Sequence, residues 1–233
     1  MAWNGKDQQD QGIVERGFTL QVDGHEVPGV SWEPEGGADR LVLLGHGGTT
    51  HKKVDYLLAV MQMLTAKGIA ACAIDGPGHG DRVARWEHEP DRFAQMWQAG
   101  GGTETVLTDW AAALDFIESE QGARPTGWWG LSMGTMMGLP VTATERRIKV
   151  ATLGLMGTWG PNAQDLIRLA PEVTCPVRFL VQWDDEIVPR DGCIELFGAL
   201  GSKKKTMHVN PGLHAAVPQF EIQGSVDYLD KYL

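Results

Sequence analysis

The residues best suited to covalent chemistry are one serine and the glycines around it. Gly130-Leu131-Ser132-Met133-Gly134 follows the apolar run Thr126-Gly127-Trp128-Trp129 and precedes Thr135-Met136-Met137-Gly138-Leu139. Read as a buried strand, a sharp turn and a packed helix, this is the pattern of a nucleophile elbow. The turn forces the serine into a strained backbone conformation, and the glycines omit side chains where strand and helix come close. The Ser132 oxygen would then stand above the sheet edge, within reach of a substrate and a base. Glycine supplies 30 of the 233 residues, so the five-residue match is by itself only a hypothesis. A serine hydroxyl is a weak nucleophile at its own pKa and needs a base to take its proton. Histidine suits that role, with an acid on its far ring nitrogen to fix the tautomer and stabilise the imidazolium.

Seven histidines compete for the base. His25 sits in an early hairpin and His88 in an acidic loop, and both read as surface residues. His51 is at a helix start, and His208 lies in the last strand, where a side chain packs. His46 and His79 lie in glycine-rich turns at strand ends, and His214 follows Asn210-Pro211-Gly212 after the final strand. For the acid, Trp183-Asp184-Asp185-Glu186 offers three carboxylates after one strand. Gly76-Pro77-Gly78-His79-Gly80 lacks the Gly-Lys-Ser/Thr ending of a phosphate loop, so nucleotide binding is rejected. Asp75 beside it reads as a structural residue that holds the turn.

The elements that must position these groups alternate between strand and helix. Residues 1–14 read as a polar tail. Phe18–Val22 alternates as a half-buried strand, Asp23-Gly24 turns, and His25–Trp32 returns as a hairpin. Leu41–Leu44 and Ile69–Ile74 are short, continuously apolar runs that fit buried parallel strands. Val54–Lys67 has helical spacing and stops at Gly68. Residues 81–102 read as a long irregular connection, which is often functional. Helices are expected over 103–120, from the elbow to about 145, over 161–170, 189–200 and 215–232. Further strands are expected over 148–155, 177–181 and 206–209. The pattern predicts one α/β domain over residues 15–233, with a mostly parallel, doubly wound sheet and an antiparallel N-terminal hairpin. In such a sheet ligands bind beyond the carboxyl ends of the strands. His46 to Thr49, Asp75 to Gly80, Ser132, Trp183 to Asp185 and His214 all fall there.

Composition narrows the partners. A net charge of −10 and a pI near 5.1 argue against nucleic acid and anionic membranes and mildly against polyanionic substrates. Cys72, Cys175 and Cys193 are widely spaced and odd in number, with no metal-ligand spacing. Cys72 and Cys175, in or beside apolar runs, read as core thiols suited to a reducing compartment. The polar N-terminus carries no signal-like apolar region and no run is long enough to span a bilayer, so a cytoplasmic location is expected. No cofactor or metal is implied. Of nine tryptophans, Trp86, Trp97, Trp159 and Trp183 fall in loops or at strand ends, where aromatics can line a pocket; ordinary packing accounts for any single one equally well.

Taken together, the chain resembles the α/β-hydrolase family over nearly its whole length after the first strands. The resemblance rests on the elbow at Ser132, on His46-Gly47-Gly48, on Asp185 four residues before Pro189, and on His214 before the last helix. The compact size and Lys52 just after the His46-Gly47 turn are similar to small esterases and the dienelactone-hydrolase branch. That branch usually carries cysteine as nucleophile, and the serine here points to simple carboxylesterase chemistry. The resemblance implies the chain order nucleophile, acid, histidine, filled by Ser132, Asp185 and His214. The family spacing of Asp, two residues, Val and Pro favours Asp185 over Asp184 through Val188 and Pro189. His46 matches a histidine that shapes the oxyanion loop. The Met133 and Gly48 amides would stabilise the oxyanion, although these glycines also suit a tight turn with no ligand. The segment between residues 148 and 181 is too short for a large helical cap. Residues 82–102 and the stretch around Trp159 would then roof an aromatic-lined cleft, with His46 beside it, for a small ester of short to medium acyl chain. Thioesters, lactones, peptides and a slow receptor of the same fold stay open. Oligomeric state is not legible.

Overall fold

The computed structural model describes residues 2–83 and 93–233. The strands are β1 (Ala2–Asp10), β2 (Ile13–Val22), β3 (His25–Pro34), β4 (Arg40–Gly45), β5 (Ile69–Ile74), β6 (Thr126–Gly130), β7 (Ile148–Gly154), β8 (Val177–Gln182) and β9 (Lys205–Asn210). They form one sheet in the order β1-β2-β3-β5-β4-β6-β7-β8-β9. β1, β2 and β3 are antiparallel, β3 meets β5 antiparallel, and β5 through β9 run parallel. The helices are α1 (Asp55–Thr65), α2 (Phe93–Ala99), α3 (Gly102–Gln121), α4 (Met133–Thr144), α5 (Ala163–Leu169), α6 (Arg190–Ala199) and α7 (Gln219–Tyr232).

The short apolar runs become central strands because both faces of the sheet are covered. Along β4, Leu41 and Leu43 enter the core under α3 and α4, while Val42 and Leu44 enter the core under α1 and α7. The two adjacent tryptophans of β6 split the same way. Trp128 packs edge-on to Trp110 of α3, with ring centroids 4.7 Å apart. Trp129 turns to the opposite face and donates its indole N–H to Ser225 Oγ of α7 at 2.7 Å. Among the described residues no helix is long and apolar enough to cross a membrane.

Three expectations need correction. Most of residues 1–14 is not a tail: Ala2–Asp10 pairs with β2, which itself starts at Ile13 rather than Phe18. An outermost strand can satisfy a backbone ladder while its side chains stay polar, so the alternation that marks a half-buried strand is missing. Gln11 and Gly12, with φ of 49° and 78°, form a tight hairpin turn like that at Asp23 and Gly24, with 47° and 86°. Trp3 anchors the strand against Phe116, with ring centroids 4.9 Å apart. The stretch expected to be irregular contains α2, seven residues long, closed by Gly100 and Gly101 before α3 begins at Gly102. The last helix starts at Gln219, after Pro218, rather than at Ala215. Of the two presumed core thiols, Cys72 is buried and Cys175 partly so. Burial pushes them up to about 12 and about 11, which keeps both protonated.

Candidate active site

The turn between β6 and α4 holds Ser132 at φ 58° and ψ −121°, a region that costs a non-glycine residue on the order of 1–3 kcal/mol. Such a conformation persists only where the surroundings over-determine it. A Cβ on Gly134 would lie 2.4 Å from the Gly45 carbonyl oxygen of β4, and one on Gly130 would lie 2.7 Å from the Gly134 oxygen. A Cβ on Gly138 would lie 1.9 Å from the buried Trp128 indole nitrogen. The glycines thus let α4 press against β4 and β6. The Ser132 amide donates to the Gly154 carbonyl at the end of β7 at 2.9 Å.

Ser132 Oγ lies 2.9 Å from His214 Nε2, and His214 Nδ1 lies 2.7 Å from Asp185 Oδ2. The other Asp185 oxygen accepts the Ile187 and Val188 amides, both at 2.8 Å. Its side chain is 2% exposed. Three consecutive acids hold the segment that carries His214. Asp184 accepts the Gly212 amide at 3.0 Å, Asp185 faces the imidazole, and Glu186 accepts the His214 amide at 2.8 Å. From β8, Gln182 donates its amide to the Leu213 and Ala216 carbonyls. With Asp185 accepting from Nδ1–H, Nε2 is left as the acceptor for the serine proton.

The loop after β4 is built around two histidines and a buried carboxylate. His46 is fully buried. Its Nε2 accepts the Gly76 amide at 2.9 Å, so Nδ1 carries the proton and donates to the Gly47 carbonyl at 2.8 Å. Burial, and the nearby His79 after it, push His46 down to about 4, which keeps it neutral. The Gly47 amide is already engaged by the Tyr56 hydroxyl at 2.5 Å. Gly48 lies under Phe93, whose ring would be 3.3 Å from an added Cβ. Asp75 accepts the Lys52 amide, the Lys52 ammonium and the Asp81 amide at 2.9, 2.6 and 2.9 Å. It ties together the two glycine-rich turns, as its structural reading required.

The tryptophans expected to line a pocket part company. Trp159 and Trp183 are 44% and 51% exposed, and the Arg190 guanidinium stacks 3.8 Å from the Trp183 ring centroid. Trp97 does not line an open pocket: it is 1% exposed, on α2, and packs into the core. Its loop assignment failed with the missed helix. Trp86 and His88 lie outside the described residues. His46 likewise presents no surface to a cleft. His25 is more than a surface residue, because its Nε2 lies 2.8 Å from the buried Asp109. His51 accepts the Lys53 amide, and His79 and His208 bond to the Pro77 carbonyl and the Thr206 hydroxyl. Sequence reasoning passed over Phe93, Tyr56 and Thr135. The last of these is fully buried, with its hydroxyl between β6 and β7, and a threonine one residue past the elbow carries no sequence signal of such a role.

Residues 36–159, just over half of the chain, match the family described as Serine aminopeptidase, S33. No curated protein matches. Among solved structures, a PEG-bound complex of a cold-adapted esterase from an Arctic intertidal metagenomic library is 63% identical over the full length of both chains, with a TM-score of 0.95. A native structure described in the same terms is 60% identical, again over both full lengths, with a TM-score of 0.90. An acetyl xylan esterase from Paenibacillus sp. R4 is 19% identical, covering 100% of this chain and 88% of its own, with a TM-score of 0.76, and so shares the fold. The chain belongs to the Serine aminopeptidase, S33 family of α/β-hydrolases.

Proposed function

We propose that this chain is a serine esterase that hydrolyses carboxylic esters through an acyl-enzyme. The observation that carries the reading is the continuous relay from Ser132 Oγ through His214 to Asp185, with links of 2.9 and 2.7 Å. The full-length similarity to a cold-adapted esterase supports the choice of ester as substrate. Ser132 Oγ attacks the ester carbonyl while its proton passes to His214 Nε2. The carbonyl oxygen takes up the negative charge, with the Met133 and Gly48 amides as its donors. His214 then gives its proton to the departing alkoxide, and the alcohol leaves. Water adds to the acyl-enzyme, surrenders a proton to Nε2, and releases the carboxylic acid as Ser132 recovers its hydrogen. Asp185 keeps Nδ1–H pointed away from the reaction and offsets the imidazolium charge.

Acyl groups of short to medium length fit the small amount of chain available for a roof. The connection from Gly154 to Val177 contains α5, a seven-residue helix, and no larger covering element. Three cysteines without disulfides suit a reducing compartment such as the cytoplasm. The family description favours a second reading as a peptidase that cleaves after an N-terminal residue. Initial rates on p-nitrophenyl esters from acetate to dodecanoate, beside an aminoacyl p-nitroanilide panel, separate the two. The ester reading expects turnover greatest at short to medium chains and abolished in Ser132→Ala. Anilide turnover without ester turnover, or equal ester rates in wild type and Ser132→Ala, would overturn it.

A further inference from the structure

One buried hydroxyl connects the nucleophile's turn to the neighbouring strand. Thr135 is the third residue of α4 and has no exposed surface. Its Oγ1 lies 2.9 Å from the Gly130 carbonyl oxygen and 2.7 Å from the Gly154 carbonyl oxygen, and accepts the Gly154 amide at 2.8 Å. The hydroxyl proton therefore serves the carbonyls while a lone pair serves the amide. Gly154 is also the residue whose carbonyl accepts the Ser132 amide. Its own backbone, at φ 145°, leaves no room for a side chain, since a Cβ would lie 2.2 Å from the Leu180 oxygen. A single side chain thus ties the residue two before the nucleophile to the same glycine that holds the nucleophile's amide.

We infer that Thr135 is a positioning residue for the esterase reaction: it holds the strained Ser132 turn against β7, so that Oγ and the Met133 amide stay aimed at the ester carbonyl. The inference rests on the nucleophile role proposed for Ser132. The strained backbone needs external restraint to persist; β4 pairs with β6 as far as Gly45 and Gly130, but ladder pairing supplies no such restraint on the β7 side. The register between β6 and β7 ends at Trp129 and Thr152, one residue short of Gly130. The Gly130 carbonyl and the Gly154 amide are buried groups that would lose this partner if the hydroxyl were removed, and such groups are expensive to leave unmade. Relaxation of the turn would restore their bonding at the expense of the nucleophile's aim.

The experiment compares Thr135→Val, which keeps the shape and removes the hydroxyl, with Thr135→Ser, which keeps the hydroxyl and loses a methyl. Steady-state kinetics on p-nitrophenyl acetate are read beside circular dichroism and melting curves. A positioning role gives Thr135→Val a kcat at least about tenfold lower with KM within about twofold, while Thr135→Ser stays within about threefold of wild type. A purely structural role lowers the melting temperature of Thr135→Val and leaves its kcat at the wild-type value; that result overturns the inference, as does a serine variant as slow as the valine one. If the valine variant does not fold, Thr135→Ala is held to the same two expectations. Failure of the esterase reading would show separately, as wild-type protein inactive on the ester.

Discussion

Asp185→Asn tests the proposed relay most sharply, and the structure dictates how the variant must orient. The Ile187 and Val188 amides both point at Oδ1 from 2.8 Å. An asparagine must therefore keep its oxygen there, since its NH2 would face two donors. The NH2 is then forced into the Oδ2 position, 2.7 Å from His214 Nδ1, where it meets a second N–H. The imidazole resolves the clash by moving its proton to Nε2, the nitrogen that must accept from Ser132. A locked wrong tautomer costs about 10⁴ in kcat, or roughly 5.5 kcal/mol of barrier. Asp184→Asn is the matched control. Asp184 is exposed and accepts the Gly212 amide at 3.0 Å, a bond that an asparagine oxygen can keep, so kcat stays within about threefold. Steady-state kcat on p-nitrophenyl butyrate, with the burst phase isolating acylation, reads both variants. If Asp185→Asn retains more than about a tenth of wild-type kcat, or Asp184→Asn suffers the larger loss, the tautomer argument is wrong.

Three further expectations concern stability. The neutral, buried His46 is held near 4 in the folded state, against an ordinary value of 6.5. Between those values the unfolded chain binds more protons, so stability is fully present above about pH 6.5 and falls as pH drops towards 4. The maximum contribution is on the order of 3 kcal/mol, and His79, also pushed down by burial, acts in the same direction. Urea unfolding from pH 4 to 7 should give a steep rise that flattens in His46→Asn; an identical slope in the variant refutes the assignment. Gly138→Ala would drive a methyl to 1.9 Å from the buried Trp128 ring and should cost about 3 kcal/mol, seen as a fall of roughly 6–12 °C in melting temperature. Gly198→Ala, within α6 and with no atom within 4 Å of the added methyl, should leave the melting temperature equal or higher.

The parts of this fold that were legible from residues alone are those where local chemistry and tertiary environment ask for the same residue. Leu41–Leu44 reads as a covered strand because burial on both faces removes every polar alternate position. Asp23-Gly24 reads as a turn because its φ values are those that aspartate and glycine tolerate best. β1 was missed because an outermost strand need not be apolar, and α2 because seven residues carry barely two turns of periodicity. Trp97 was misplaced as a consequence of α2, since a tryptophan in a loop and one on the inner face of a short helix look alike in sequence. Ser132, Asp185 and His214 could be singled out because each follows a strand. Position after a strand cannot separate adjacent carboxylates; the family spacing favours Asp185, and the direction of each side chain agrees, with Asp184 on a backbone amide and Asp185 on the imidazole.

The elbow shows why part of a site stays hidden even when its motif is plain. Gly130, Gly134 and Gly138 recur at intervals of four, and each is required by a different neighbour: the Gly134 carbonyl, the Gly45 carbonyl and the Trp128 ring. The pentapeptide records the first two because the strained Ser132 turn and a close helix contact coincide there. The third is pure packing, yet it lets α4 approach closely enough for the other two to matter. The same closeness brings the third residue of α4 within reach of β7, where a hydroxyl can bond to Gly130 and Gly154 together. A serine raised above the sheet by a strained turn is therefore the exposed end of a buried contact between α4 and two strands. Substitutions along that contact should alter kcat before they alter substrate affinity, because they fall on buried residues and move Ser132, the proposed nucleophile.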